Sequence, residues 1–409
     1  MQPVRSSSCT SLALYVVLLG GPLMMAGRLN SQEKSSSDAP VGNHSSQQFH
    51  FDRLTSQCRD LEGRHGLNNG LLSCGDPGES SLKDANLRGR DLSGARLRDL
   101  DLEDADLSEA ILRGVDFRNA NLSDANLAGA DLTGADLREA KLLKTSLVKS
   151  NLTGANLQGA TLHHTDLRES TFDHVNAAEA KFFRVNLSGM DLRTASLRGA
   201  DLAWCKVVKA NLAHLDLERA WLDGSDFTGS DLENTNLEHA KLQHTELVES
   251  NLSHARIKNS EISEANLQRA KLVGADLSDC NLVGADLSGA DLSSASLHGA
   301  NLMNAKLRNA QLQEANLGEA ILYGADFERA DLRGANLMGV EMMEFGKTFD
   351  LRAVDVSFRS TRFVNATIDE KTVLPFDAHE AASRKMSGLA KAPTKNKKII
   401  KATPIQIGP

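Results

Sequence analysis

"ILRGVDFRNANLSDANLAGADLTGADLREA", residues 111–140, places an apolar residue at every fifth position, from Leu112, Phe117 and Leu122 to Leu137, with a small residue, usually Ala, two places before. A five-residue step on an α-helix turns about 500°, so these residues would scatter around the cylinder instead of forming a stripe. On a straight strand an odd step puts successive centres on opposite faces. The Leu and the Ala two places before it do share a side, so each word reads as a short extended piece followed by a corner. Gly114, Gly129 and Gly134 stand two places after a centre, where a corner needs backbone freedom. Asp or Asn just before the centre can hydrogen-bond nearby backbone. The chain therefore coils.

The count holds without insertion or deletion from Leu82 to Met342, over 53 words. Most centres are Leu; the others are Phe117, Phe172, Phe182, Phe227, Phe327, Val207, Ile257, Ile262, Met342 and Ala177. One continuous core is being lined. "ANLSDANLAGADLTGADLREA" resembles the pentapeptide-repeat family, whose motif is a small residue, Asp or Asn, Leu or Phe, and two variable positions. The resemblance covers about two thirds of the chain. It implies an all-β fold, a right-handed four-sided parallel β-helix of about 20 residues per coil, with Leu and Ala inside and the variable positions outside. With coils about 4.8 Å apart, residues 81–345 make roughly 13 coils and a rod about 60 Å long. Burying each Leu contributes roughly 1.5–3 kcal/mol, and the open ladders at the two ends require caps.

The flanks read differently. Residues 1–27 carry Arg5 and then an apolar run from Leu12 to about Ala26, broken by Gly20, Gly21 and Pro22. This reads as a secretory signal peptide, which implies export; the alternative is an uncleaved membrane anchor through residues 12–26. Cys9 precedes the apolar core, so it is not placed as a lipoprotein cysteine. Residues 28–48, rich in Ser, Gln and Asn, read as a disordered linker, and 49–80 as an N-terminal cap region. In an oxidising compartment Cys58 and Cys74 could close that cap with a disulfide; spacing alone leaves them equally readable as two thiols. Cys205 and Cys280 fall at the inward small position and read as packing residues. After Met342 the phase slips by one, and Phe358, Phe363, Ile368 and Val373 resume a five-step that reads as closing turns over 346–376. The tail, 377–409, contains "KAPTKNKKIIK" and is basic, offering a contact for an anionic polymer or membrane.

Catalytic signals are sparse. His174, His214 and His254 share an outward column but stand two coils apart, roughly 10 Å, too far for ligands near 2 Å from one zinc ion. The Asp before each centre is explained by the corner, so no acid pair of the kind a glycosidase uses separates from the background. There is no nucleophile elbow or phosphate loop. No cofactor and no catalytic residue is expected, and a polysaccharide-active β-helix enzyme is the least supported reading.

Twenty-residue columns give the outer surface. Arg98, Arg118, Arg138 and Arg198 share a column, beside Asp99, Asp116 and Glu139, and read as a charge ladder or an anion-binding strip. Val283, Met303, Tyr323 and Met343 share another, with Ile321 beside it, a contact patch of roughly a few hundred Å². Its cover is either the chain's own segment 344–376 or a second copy of the rod, giving a homodimer. Residues 171–183, with Ala177 between Phe172 and Phe182, and "WCKVV" at 204–208 depart from the usual word and allow a local bulge. The functional expectation is a non-enzymatic exported rod that binds an unknown protein partner. The rival is a DNA-mimicking inhibitor of a type II topoisomerase, which the family resemblance brings with it. Although residues 81–340 sum to a charge of about −11, the Arg column, Lys141, Lys144 and Lys149 mix the signs and weigh against that rival. No direct nucleic-acid binding is expected.

Overall fold

The structure, a computed structural model, describes residues 15–16, 72–73, 81–342, 361–369, 371–375 and 384–386. Residues 131–135, Asp-Leu-Thr-Gly-Ala, show how one word folds. Asp131 N–H donates to Ala110 O at 2.9 Å, in the coil before, and Leu132 and Gly134 N–H donate to Asn151 O and Thr153 O, at 2.7 and 2.9 Å, in the coil after. Ala135 N–H closes a tight turn on Leu132 O at 2.9 Å. That leaves Thr133 N–H, which donates to Asp131 Oδ1 at 3.1 Å. All five backbone donors are satisfied, four by backbone and one by the Asp side chain.

Repetition of this pattern yields parallel bridges at a fixed offset of 20 residues, from Ser81↔Asp101 to Ile321↔Glu341. Four words complete a coil, and the coil has four faces. Leu132 and Ala135 are 0% and 1% exposed, and the same two positions of successive words form one continuous core. Where Ser or Thr replaces the small Ala, its hydroxyl donates to a carbonyl: Thr145 to Leu122 O, Thr165 to Leu142 O, Ser260 to Leu237 O. Cys205 and Cys280 do the same with their thiols, toward Phe182 O and Ile257 O. Both are buried and unbonded, and burial pushes each thiol up to about 12.

The corner demands a left-handed residue. From Asp84 to Gly339 the residue two places after each centre has positive φ, with the single exception of Thr194. Gly114, Gly129 and Gly134 sit there at φ of 60°, 69° and 67°, and the non-glycine occupants are largely Asp, Asn, Glu, His, Lys and Arg. Thr194 is the only β-branched residue at this position in those corners, and β-branching is what the left-handed region excludes. Its hydroxyl instead accepts a bond from His174 N–H at 3.0 Å.

Near Thr194 the ladder lapses. Bridges are missing where 166, 171 and 196 would pair with 186, 191 and 216. Each lapse directly follows a large residue at the small inward position: Val185, Met190 and Leu215. Leu100, Val115 and Val175 are tolerated with the ladder intact, so bulk acts together with the local filling. Phe172 and Phe182 meet edge to face at 6.3 Å, with Ala177 fully buried between them in sequence, and this stretch has little room for larger neighbours.

At the C-terminal end the one-residue slip read from the sequence holds for Phe363 and Ile368 and fails at Val373. Asp326, Asp331 and Asn336 pair with Arg362, Thr367 and Val373, so residues 361–369 and 371–375 stack as the next coil. Phe363 and Ile368 are buried centres, and Phe363 stacks on Phe327 at 5.2 Å. Val373, read as a centre, instead points outward, and Leu374 packs on the core. The cause is an extra residue between Thr367 and Val373, where Asp369 Oδ1 accepts from Lys371, Thr372 and Gly334 N–H. Asn365 N–H donates to Lys385 O, and Met386 is 7% exposed, so residues read as tail contribute to the cap. β1, Tyr15–Val16, pairs antiparallel with β2, Leu72–Ser73. The other residues read as signal peptide and linker, Cys58, Cys74, Phe358 and the rest of the residues read as tail lie outside the described residues. No helix among the described residues is long and apolar enough to cross a membrane.

Two outcomes are expected. Asn309→Val forces a β-branched residue into a corner at φ 56° and lowers stability by about 1–3 kcal/mol, measured by thermal or denaturant unfolding, whereas Asn309→Gly changes it little. Hydrogen exchange of the Asn186, Asp191 and Asp216 amides is faster than that of Lys206, Asn211 and Asp231, whose ladder bonds are present.

Candidate contact surface

On three of the four faces the outward positions carry mostly Asp, Asn, Ser, Gly and paired charges. Asp116 accepts a two-pronged pair from Arg118, at 2.8 and 2.6 Å, and Asp136 the same from Arg138. The same two-residue arrangement recurs at Asp166 with Arg168, Asp191 with Arg193 and Asp331 with Arg333. The hydrogen bonds from these guanidinium groups hold the five carboxyls below the usual carboxylate range. Arg98 pairs with Asp99, and Arg198 with Asp216 and Glu218. The arginine column is therefore a charge ladder whose cations are already engaged.

Most of the histidines in the described residues sit at corners. His164, His174, His214, His239, His244 and His254 all occupy left-handed positions, a conformation His tolerates better than most residues. No group of three metal-ligating side chains occurs among the described residues.

The remaining face, whose centres are Leu82, Leu102, Leu122 and every twentieth residue after, is different. The apolar column read from the sequence lies on it. Val283, Met303 and Tyr323 stack coil upon coil, each half-buried, with Ile321 half-buried beside Tyr323; Met343 lies outside the described residues. Tyr323 Oη donates to Glu341 Oε2 at 3.1 Å, and burial, then Glu341, raises its pKa. Residues 361–375 stack beyond the 321–340 coil, so that part of the segment considered as a cover is spent on the rod's end. Residues 344–360 lie outside the described residues.

The sequence reading missed the middle of the same face. Trp204 and Trp221 are 60% and 49% exposed, and Leu143 is 37% exposed. The Trp204 ring lies over Gly224 in the next coil, where an added Cβ would meet it at 3.0 Å. Lys241 Nζ stands 4.0 Å over the Trp221 ring, and Arg184 stands 5.2 Å over Phe183. His163 and His164 meet the same Phe183 edge to face at 5.8 and 6.1 Å, and burial lowers the pKa of His163. Within residues 81–342 every outward Phe, Tyr and Trp lies on this one face. The signal was present in the twenty-residue columns beginning at 141, 143 and 144, taken together as a face.

The Asp–Arg pairs set a pH dependence. A depressed native pKa adds stability above the ordinary carboxylate value, near 4, and that stability is lost as pH falls through the native value. The melting temperature is expected to drop progressively below about pH 4, and Arg118→Gln to flatten that drop, measured by thermal unfolding from pH 7 to pH 2.

The family model for pentapeptide repeats matches in consecutive, mostly overlapping copies from residue 80 to residue 343. No curated protein matches the chain. Among solved structures, HetL, a pentapeptide repeat protein involved in heterocyst differentiation regulation from the cyanobacterium Nostoc, is 32% identical, covering 50% of this chain and 89% of its own, with a TM-score of 0.41. QnrB1, a plasmid-mediated fluoroquinolone resistance protein, is 18% identical over 49% of this chain and 94% of its own, with a TM-score of 0.36. A pentapeptide repeat protein of the Arabidopsis thaliana thylakoid lumen is 24% identical over 39% and 74%, with a TM-score of 0.16.

Proposed function

The chain belongs to the pentapeptide-repeat family, which folds as a right-handed quadrilateral β-helix, and from that premise we propose that it is a non-enzymatic, exported rod that binds a protein partner along the Leu82 face. The observation that carries this reading is the confinement of every outward aromatic side chain of residues 81–342 to that face. Exposed aromatic residues are costly to leave in water and are enriched where proteins meet. The column Val283, Met303 and Tyr323 with Ile321 extends the same surface toward the C-terminal end. Export is supported by Arg5 and the apolar run to Ala26. A DNA-mimicking role needs a surface of one sign, and this face carries Lys141, Lys181 and Arg184.

A photo-crosslinking amino acid placed singly at Ala203, Gln243 or Met303, and on another face at Thr153 or Ser253, tests this in the cells that make the protein. Adducts with a second protein are expected from the first three positions only. Adducts equally frequent from Thr153 and Ser253, or none from any position, would overturn the proposal.

A further inference from the structure

We propose that the middle of the Leu82 face, between Lys141 and Lys241, is the docking site for an extended acidic segment of the protein partner. This rests on the reading of that face as protein-binding and names the chemistry of what binds. The first support is charge. The described rod is acidic, yet this stretch presents Lys141, Lys181, Arg184 and Lys241, none of them in an ion pair among the described residues, beside Lys144, which pairs with Asp124. By contrast, the arginines of the Asp–Arg pairs are neutralised within their own words. The second support is the aromatic setting. Lys241 and Arg184 rest over the rings of Trp221 and Phe183, which positions the cations without neutralising them. Trp204 supplies a further exposed ring between them, of the residue type that dominates binding energy when covered.

Charge density selects the occupant. Five coil steps separate Lys141 from Lys241, about 24 Å at the strand spacing, which an extended peptide spans with about seven residues. A DNA duplex brings one negative charge per 1.7 Å, about fourteen over that length. The face offers only a few cations, and Asp201 and Asp223 lie among them. A peptide with a few carboxylates alternating with apolar residues matches both the sparse cations and the rings.

A phage-displayed library of random linear twelve-residue peptides, panned on the full chain, tests this without presupposing the partner. Enriched peptides are expected to carry Asp or Glu interleaved with apolar residues. A synthetic enriched peptide should bind at least tenfold more weakly to the Lys181→Glu, Arg184→Glu double variant and to Trp204→Ala, and unchanged to Arg193→Glu on another face. All four substituted side chains are exposed, and circular dichroism confirms that the variants fold. Enrichment of neutral or basic peptides, acidic peptides indifferent to both face variants, or a dimer of the chain that the double variant dissociates would overturn the proposal. Crosslinking from the face together with non-acidic enriched peptides would remove this inference and leave the protein-binding reading standing. Absence of crosslinking would remove that reading while the panning still reported the chemistry of the strip.

Discussion

One backbone N–H per word decides the architecture. The inter-coil ladder and the corner turn consume four of the five donors in Asp131–Ala135, and the fifth, on Thr133, is taken by the Asp131 carboxylate. An unsatisfied amide would cost about 1–3 kcal/mol if buried, and the same bond recurs wherever Asp or Asn precedes the centre. The Asp or Asn before the centre is therefore a structural residue whose charge or amide is partly used before any ligand arrives. This explains why so acidic a chain shows no separable acid pair. The same carboxylates then take Arg118, Arg138 and Arg168 as partners, so much of the surface charge is internally compensated.

The corner imposes the second restriction. A left-handed residue two places after each centre admits Gly, Asn, Asp and His readily and β-branched residues poorly, and Thr194 marks the price of ignoring this. Nearby, Val185, Met190 and Leu215 occupy the small inward position and the ladder skips three bridges. Because each coil contacts only its neighbours, such a fault stays local; bridges resume at Asp201↔Trp221 and continue to the end of the regular coils.

The five-residue period revealed the coiling, the core positions, the corner glycines and the inward role of Cys205 and Cys280, because each of these is fixed by distances within one or two words. The column Val283, Met303 and Tyr323 was legible because its members are separated by one coil. The aromatic and basic middle of the face was not, since Phe183, Trp204 and Trp221 occupy three different columns and only the folded coil lays those columns side by side. The closing coil was half legible: Phe363 and Ile368 keep the step, but the extra residue that turns Val373 outward depends on Asp369 gathering three amides, a tertiary arrangement without a period.

The offset of twenty has a consequence for how such a chain can change. Because core and corner are specified word by word, losing one word, for example 251–255, would leave every remaining Leu and Ala still directed inward. Everything downstream would nevertheless be turned by a quarter of a revolution relative to what precedes it. Val283, Met303 and Tyr323 would then belong to a different side from Trp204 and Trp221. The fold is thus indifferent to gain or loss in steps of five residues, whereas a continuous outer surface survives only in steps of twenty. Any lineage that drew on the whole length of this face would inherit its coils in whole turns.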